Sequence, residues 1–294
     1  ALLLTLLAPA CLAQNTQFLP GIQQCWDASD LVCIGSATTP IHTGVVEKID
    51  GADRDQISAD VDLETCLKGH APDPSIYVLG DDVIARSEVG AAYAYAGPPT
   101  GFLNPGRNLL FLRRTSDPNT FKVTVPVYET AIPLADDPPG PLPPGSPPVA
   151  CTVITRELKA AILQLSHDGR SESDLTYMNY LFDYLGPSQA ASELATLGAT
   201  ADPVTRSDIA VSLLAHGHTE EQPAAIAVLL DTTADFWRRE NAASALGYNG
   251  TTAALEPLRQ VAAQPAPTDT LKDLRATTRS SLQQIQRCLR ISPR

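Results

Sequence analysis

The chain has 294 residues, with 33 acidic against 21 basic side chains and a formal net charge of −12. Hydrophobic residues make up 44% and charged residues 18%, which excludes a wholly disordered chain; the length suits about two domains. No apolar run reaches the roughly 18 residues of a membrane-spanning helix, and the acidic balance argues against nucleic-acid binding, which needs a basic face to neutralise phosphates.

The first residues read ALLLTLLAPACLAQ. Residues 2–7 form an apolar stretch too short to span a bilayer, and small residues follow at signal-peptidase spacing. Cleavage after Ala13 would use Cys11 and Ala13, and cleavage after Ala10 would use Ala8 and Ala10. Residues 1–13 are therefore expected to be the remnant of a signal peptide, in preference to a short buried helix, and the protein to be exported, periplasmic or extracellular. A lipid anchor at Cys11 is less favoured, because Ala8-Pro9-Ala10 precedes it without the usual Leu. Export permits disulfides. Without Cys11, five thiols remain, an odd number. A bridge between Cys151 and Cys288, which bracket the second half, is the preferred expectation. Cys25, Cys33 and Cys66 supply at most one internal pair. No CxxC spacing occurs, so zinc and thioredoxin chemistry gain little support.

Residues 22–132 read as a β domain. A helix is expected over 22–30, and strands over 31–38, 60–67, 75–79, 109–113 and 121–127. In the second strand Asp60, Asp62 and Glu64 alternate with Val61, Leu63 and Thr65. Short strands bounded by Gly, Pro, Asn and Asp indicate a small barrel or sandwich. Asp50, Asp53 and Asp55 fall in DGADRD, which lacks the glycine and the closing glutamate of an EF-hand and reads as a solvated acidic turn. His42 and His70 read as loop residues.

Residues 133–148, PLADDPPGPLPPGSPP, hold eight prolines in sixteen positions. Proline fixes φ and removes a backbone donor, so a polyproline II spacer is expected. Charge shifts across it: residues 1–150 carry 17 acids and 8 bases, residues 151–294 carry 16 and 13.

Residues 149–294 read as α, with helices expected over 153–165, 174–185, 188–197, 205–215, 221–230, 236–246, 253–263 and 271–289. An internal repeat is visible at an offset of 32: Ala210 matches Ala242, Ser212 matches Ser244, Leu214 matches Leu246, Ile226 matches Leu258 and Leu229 matches Val261. Helix pairs repeating at this period stack into solenoids. The competing arrangement is an antiparallel bundle with one central core.

Two resemblances carry these readings further. ASDLVCIG, the acidic strand ending in TCLKG, and NPGRNLLFLRR together resemble the OB-fold-like domains of exported bacterial proteins, related in architecture to netrin-type and metalloproteinase-inhibitor modules. Such inhibitors place an N-terminal cysteine amine on a protease zinc, whereas Cys25 lies inside the expected mature chain. Asp235, Arg239, Ala242, Ala243, Leu246 and Gly247, followed by Leu255, Leu258 and Val261, resemble a HEAT repeat of the short PBS-lyase-like type. In that alignment Ser207 stands where the preceding copy should have its arginine, and Gly247 is expected to end its helix in the left-handed conformation. The resemblance implies a surface that binds other proteins.

No GxSxG elbow, Walker loop or GxGxxG occurs. His216-Gly217-His218, with Glu220 and Glu221 nearby, is the one close histidine pair and reads as an exposed polar turn. The expectation is thus an α+β multidomain protein: a small antiparallel OB-like β-barrel followed by a short α-solenoid of HEAT-like helix pairs. It is expected to be a non-catalytic scaffold or adaptor for protein partners, with no cofactor and no metal. Arg238, Trp237 and Tyr248 are the candidate contact residues, though Trp237 also suits a structural role at a repeat junction. The alternative is a secreted hydrolase inhibitor acting through the barrel.

Overall fold

Two runs in the first half, LVCIG and NLLFL, are apolar at every position but one, which marks strands buried on both faces. The computed structural model describes residues 22–49, 52–83, 103, 105–123, 131–136, 150–167 and 171–291. After helix α1 (Ile22–Ala28) come strands β1 (Leu31–Ala37), β2 (Ile41–Ile49), β3 (Ala52–Lys68), β4 (Ser75–Val83), β5 (Gly106–Arg114), β6 (Thr120–Val123) and β7 (Ala131–Pro133). The two apolar runs lie in β1 and β5, which pair with each other. Leu31, Cys33, Leu110 and Leu112 belong to one core with Val61, Val78 and Phe121. Their neighbours Val32, Ile34, Leu109 and Phe111 belong to a second core shared with the helices.

Five strands close into a barrel. β1 pairs antiparallel with β3 and β5, β3 with β4, and β5 with β6, while β4 and β6 run parallel. β2 is added to β3 outside this ring, and β7 to β5.

The expected strands are present, with differences. β3 is 17 residues long, and β2 and β7 were not expected. His42 lies in β2, not in a loop. Asp53 and Asp55 stand in β3 opposite Lys48 and Val46, so most of DGADRD is extended strand and not an acidic turn. The pattern misleads there because β3 continues well past the barrel into a hairpin with β2. Residues 1–13, and the 124–127 end of the last expected strand, lie outside the described residues.

The proline-rich strip also departs from expectation at its near end. Pro133 closes β7, Leu134 and Ala135 are buried, and the Leu134 N–H donates to the Arg107 carbonyl at 2.8 Å. The rest of the strip, residues 137–148, lies outside the described residues. Instead of a barrel held off on a tether, the barrel wall and the first helices share a core.

The second half forms α2 (Ala150–His167), α3 (Ser171–Leu185), α4 (Pro187–Thr200), α5 (Pro203–Ala215), α6 (Gln222–Leu230), α7 (Phe236–Asn249), α8 (Leu255–Ala262) and α9 (Asp269–Ile291). α3, α5, α7 and α9 touch in succession, with α4, α6 and α8 packed to one side. Ile209 and Leu213 of α5 join the core facing the barrel, whereas Val211 and Leu214 join a third core with α6 to α9. α5 is thus buried on opposite faces, so the helices step from one core to the next.

The repeat has a different register from the expected one. α5 and α7 begin at 203 and 236, α6 and α8 at 222 and 255, and short 3-10 turns precede the latter pair at Thr219–Glu221 and Thr252–Ala254. Each spacing is 33 residues, not 32. Asp202 and Asp235 are the matching N-caps, their carboxylates accepting backbone N–H bonds in the first turn. The arginine expected at Ser207 is Arg206. Its Nε donates to the Gly198 carbonyl at 3.0 Å, as Arg239 Nε donates to Leu229 at 3.1 Å, each binding the end of the preceding helix.

Gly247 does not end its helix, which runs on to Asn249. It is needed because a Cβ there would lie 2.6 Å from Ser281 Cβ on α9.

Candidate functional site

Along α7 the positions 237, 241, 244 and 248 recur at i+4, i+7 and i+11 and share one face. Helices α5, α6 and α9 occupy its other sides: Arg238 reaches α5, Arg239 the end of α6, and Glu240 accepts from Thr277 of α9 at 2.7 Å. The remaining face is exposed at its two ends and half-buried between them, at Asn241 and Ser244. Trp237 is 36% exposed and Tyr248 57%, about 16 Å apart along the helix. The Trp237 ring meets Phe236 edge-on at 4.9 Å, which fixes its orientation. Val204, one repeat earlier, is 43% exposed. These three are the exposed large hydrophobics of the helical half among the described residues.

Of the expected contact residues, Trp237 and Tyr248 therefore share a stripe. Arg238 is corrected: it is not a free surface cation. Its Nε donates to Asp208 Oδ1 at 2.7 Å, and its Nη2 donates to Ser207 Oγ at 2.5 Å and to the Val204 carbonyl at 3.3 Å. Its side chain is only 13% exposed and clamps α7 to α5. Burial pushes the Asp208 carboxyl up to about 6 although Arg238 pulls it down. Val204 escaped notice because an offset of 32 pairs it with Phe236; the spacing of the capping aspartates pairs it with Trp237.

A groove of about 610 Å³ lies between α4 and α6 over α5, with Ala195, Ala199, Ala210, Ile209, Leu213 and Arg206 in its lining. The histidine pair is divided. His216 stacks on Phe182 with ring centroids 3.5 Å apart, and its Nδ1 lies 2.9 Å from the Ser212 carbonyl. His218 instead faces Glu220 at 3.2 Å. Among the described residues no group of three His, Cys, Asp or Glu is arranged to hold a metal ion.

The cysteines separate likewise. Cys25 is buried in α1, inside the core shared with the helices, whereas Cys33 is buried in the barrel and Cys66 is exposed on β3. Cys151 lies at the start of α2 and Cys288 in the last turns of α9, and their side chains lie outside the described residues. No described helix is long and apolar enough to cross a membrane.

One further group joins the halves. Arg107 of β5 donates from Nη1 to Glu157 of α2 at 2.6 Å and from Nη2 at 3.1 Å, and from Nε to Glu64 at 2.9 Å. Burial works against the guanidinium charge, but its bonds to Glu157 and Glu64 outweigh that effect and hold its pKa above the ordinary value.

No protein-family model, no curated protein and no solved structure matches the chain.

Proposed function

We propose that the chain is an exported, non-catalytic scaffold that binds another protein through the exposed face of α5 and α7. Val204, Trp237 and Tyr248 are the anchors. The helices act as a short solenoid of HEAT-like pairs, a reading supported by the 33-residue period, the matching Asp202 and Asp235 caps, and the double burial of α5. The barrel acts as an OB-like module, supported by its closed strand order with one parallel pair, β4–β6.

The observation that carries the binding role is the aromatic stripe. Tryptophan and tyrosine supply large apolar area at small entropic cost and dominate binding energies at protein interfaces. Here both stand exposed on a helix whose other sides are fixed by neighbours. The partner is a protein segment offering apolar side chains to this face.

A photo-crosslinking residue at position 244, between the two aromatics, is expected to capture a discrete partner from the exported fraction. The same residue at position 199, in the groove between α4 and α6, is not. Trp237→Ala with Tyr248→Ala should abolish capture at 244 while leaving helicity unchanged. Capture that survives the double substitution rejects the assignment.

A further inference from the structure

Cys33 and Cys66 stand directly opposite each other on β1 and β3. The pairing is set by a local irregularity. From Gly35 to Ala37 the ladder runs Gly35–Leu63, Ser36–Asp62, Ala37–Val61; carried on unshifted, that register would set Cys33 against Thr65. A register shift between Ile34 and Gly35 leaves Glu64 without a β1 partner and brings Cys66 opposite Cys33; a second shift follows between Val32 and Cys33. Bulges of this kind re-aim side chains. Directly opposed residues of an antiparallel pair carry their side chains on one face with Cα atoms about 4.5–5.5 Å apart. A disulfide accepts about 4.4–6.8 Å.

We propose that Cys33 and Cys66 are a reactive thiol pair that closes into a cross-strand disulfide at the expense of an external disulfide oxidant. The two sulfurs have different surroundings and hence different parts. Cys66 is exposed, and its thiolate attacks one sulfur of an external disulfide RSSR, forming a Cys66–SR mixed disulfide and releasing RS⁻. Cys33 is buried in the barrel, where desolvation and the neighbouring Cys66 hold its thiol up and protonated. It cannot start the reaction, but it lies beside the mixed disulfide. Once Cys66 is capped its charge no longer opposes ionisation of Cys33; Cys33 gives up its proton, its thiolate attacks the Cys66 sulfur, the Cys66–SR bond breaks, and the second RS⁻ leaves. The cysteines lose two electrons, RSSR gains them, and the two thiol protons pass to the departing thiolates. Cys25 is placed in the other core and is no competitor for Cys33.

The reduced full-length chain is treated with glutathione disulfide, both folded and during refolding from urea, and residual thiols are then alkylated and the peptides mapped by mass spectrometry. A peptide joining Cys33 to Cys66 is expected in at least one protocol, with two alkylatable thiols fewer per chain and a higher Tm. Cys33→Ala, which removes the resolving thiol, should accumulate a glutathione adduct on Cys66. Cys66→Ser should leave Cys33 unreacted in the folded chain. A persistent adduct on Cys66 in the unsubstituted chain, a bond from Cys66 to another cysteine, or full alkylation of both thiols in both protocols overturns the proposal.

Discussion

Removing Arg107 tests how the two halves are joined. The guanidinium is 6% exposed and Glu157 only 2%, so Arg107→Ala strands a carboxylate in the core. Among the described residues the one other cation within ion-pair reach of it, Arg156, lies 4.0 Å away. Breaking a buried pair by deleting one partner costs about 3–5 kcal/mol, because the surviving charge keeps its desolvation penalty. Replacing both partners with apolar side chains of similar volume is close to neutral, since no charge is then buried. Arg107→Met with Glu157→Leu should therefore lose far less than Arg107→Ala alone, although Glu64, 37% exposed, is released to solvent in both. Urea unfolding measures this with two probes. Circular dichroism follows the helices, and fluorescence of Trp26 follows the barrel side in a Trp237→Phe background, since the chain has two tryptophans. In the parent the two transitions should coincide, because barrel and helices share a core. The reasoning is refuted if Arg107→Ala lies within about 1 kcal/mol of the parent, or if the double substitution costs as much as the single one.

Asp208 gives a pH dependence of defined sign. Its carboxyl is pushed from 3.8 up to about 6, so between those values the folded chain holds a proton that the unfolded chain has lost. That contribution is complete below about pH 4 and disappears as pH rises through about 6, a change on the order of 3 kcal/mol. The stability of the parent relative to Asp208→Asn, measured by urea unfolding, should rise as pH falls from 7 to 5; a flat difference would contradict the burial argument. Gly247→Ala should cost about 1–3 kcal/mol in urea unfolding by overpacking against Ser281, and adding Ser281→Gly should recover little of it, because the Ser281 Cα itself would lie 2.8 Å from the new methyl. Tyr248→Ala, at an exposed position, should change thermal stability by no more than about 0.5 kcal/mol while weakening partner capture.

The local patterns that survived into the structure are those decided by burial. The apolar runs in β1 and β5, and the small-residue stripes of α5 and α7, reflect which side chains avoid water, and burial writes itself directly into hydrophobicity. What could not be read is partner choice. Arg238 follows a tryptophan in a polar stretch and looks like surface, yet its charge is used by Asp208, thirty positions earlier. β2 is hidden for a similar reason: IHTGVVEKI has Ile41, Val45 and Val46 exposed, so it lacks the alternation of a half-buried strand. Its place depends on β3 running on past the barrel. The register of the repeat was missed by one residue because Ala and Leu recur so often that offsets of 32 and 33 both find matches. The capping aspartates and the 3-10 turns, which have stricter backbone requirements, distinguish the two.

The shared core has a consequence for how the α5–α7 face can bind. Arg238 and Asn249 hold α7 to α5 near both ends, the latter by donating from Nδ2 to the Ala215 carbonyl at 2.8 Å. α5 is in turn buried against α3 on the barrel side and α6 on the other. Val204, Trp237 and Tyr248 are therefore fixed relative to one another before a partner arrives. In the proposed binding role, association would cost little ordering on this side, and affinity would depend on how well the partner fills the space between two anchors about 16 Å apart. The groove between α4 and α6 has the reverse character. Its lining mixes four alanines with Ile209, Leu213, Arg206 and Glu221 and includes no aromatic side chain. Interface energy concentrates on well-packed aromatic anchors, which favours the α7 stripe over the groove as the proposed binding face.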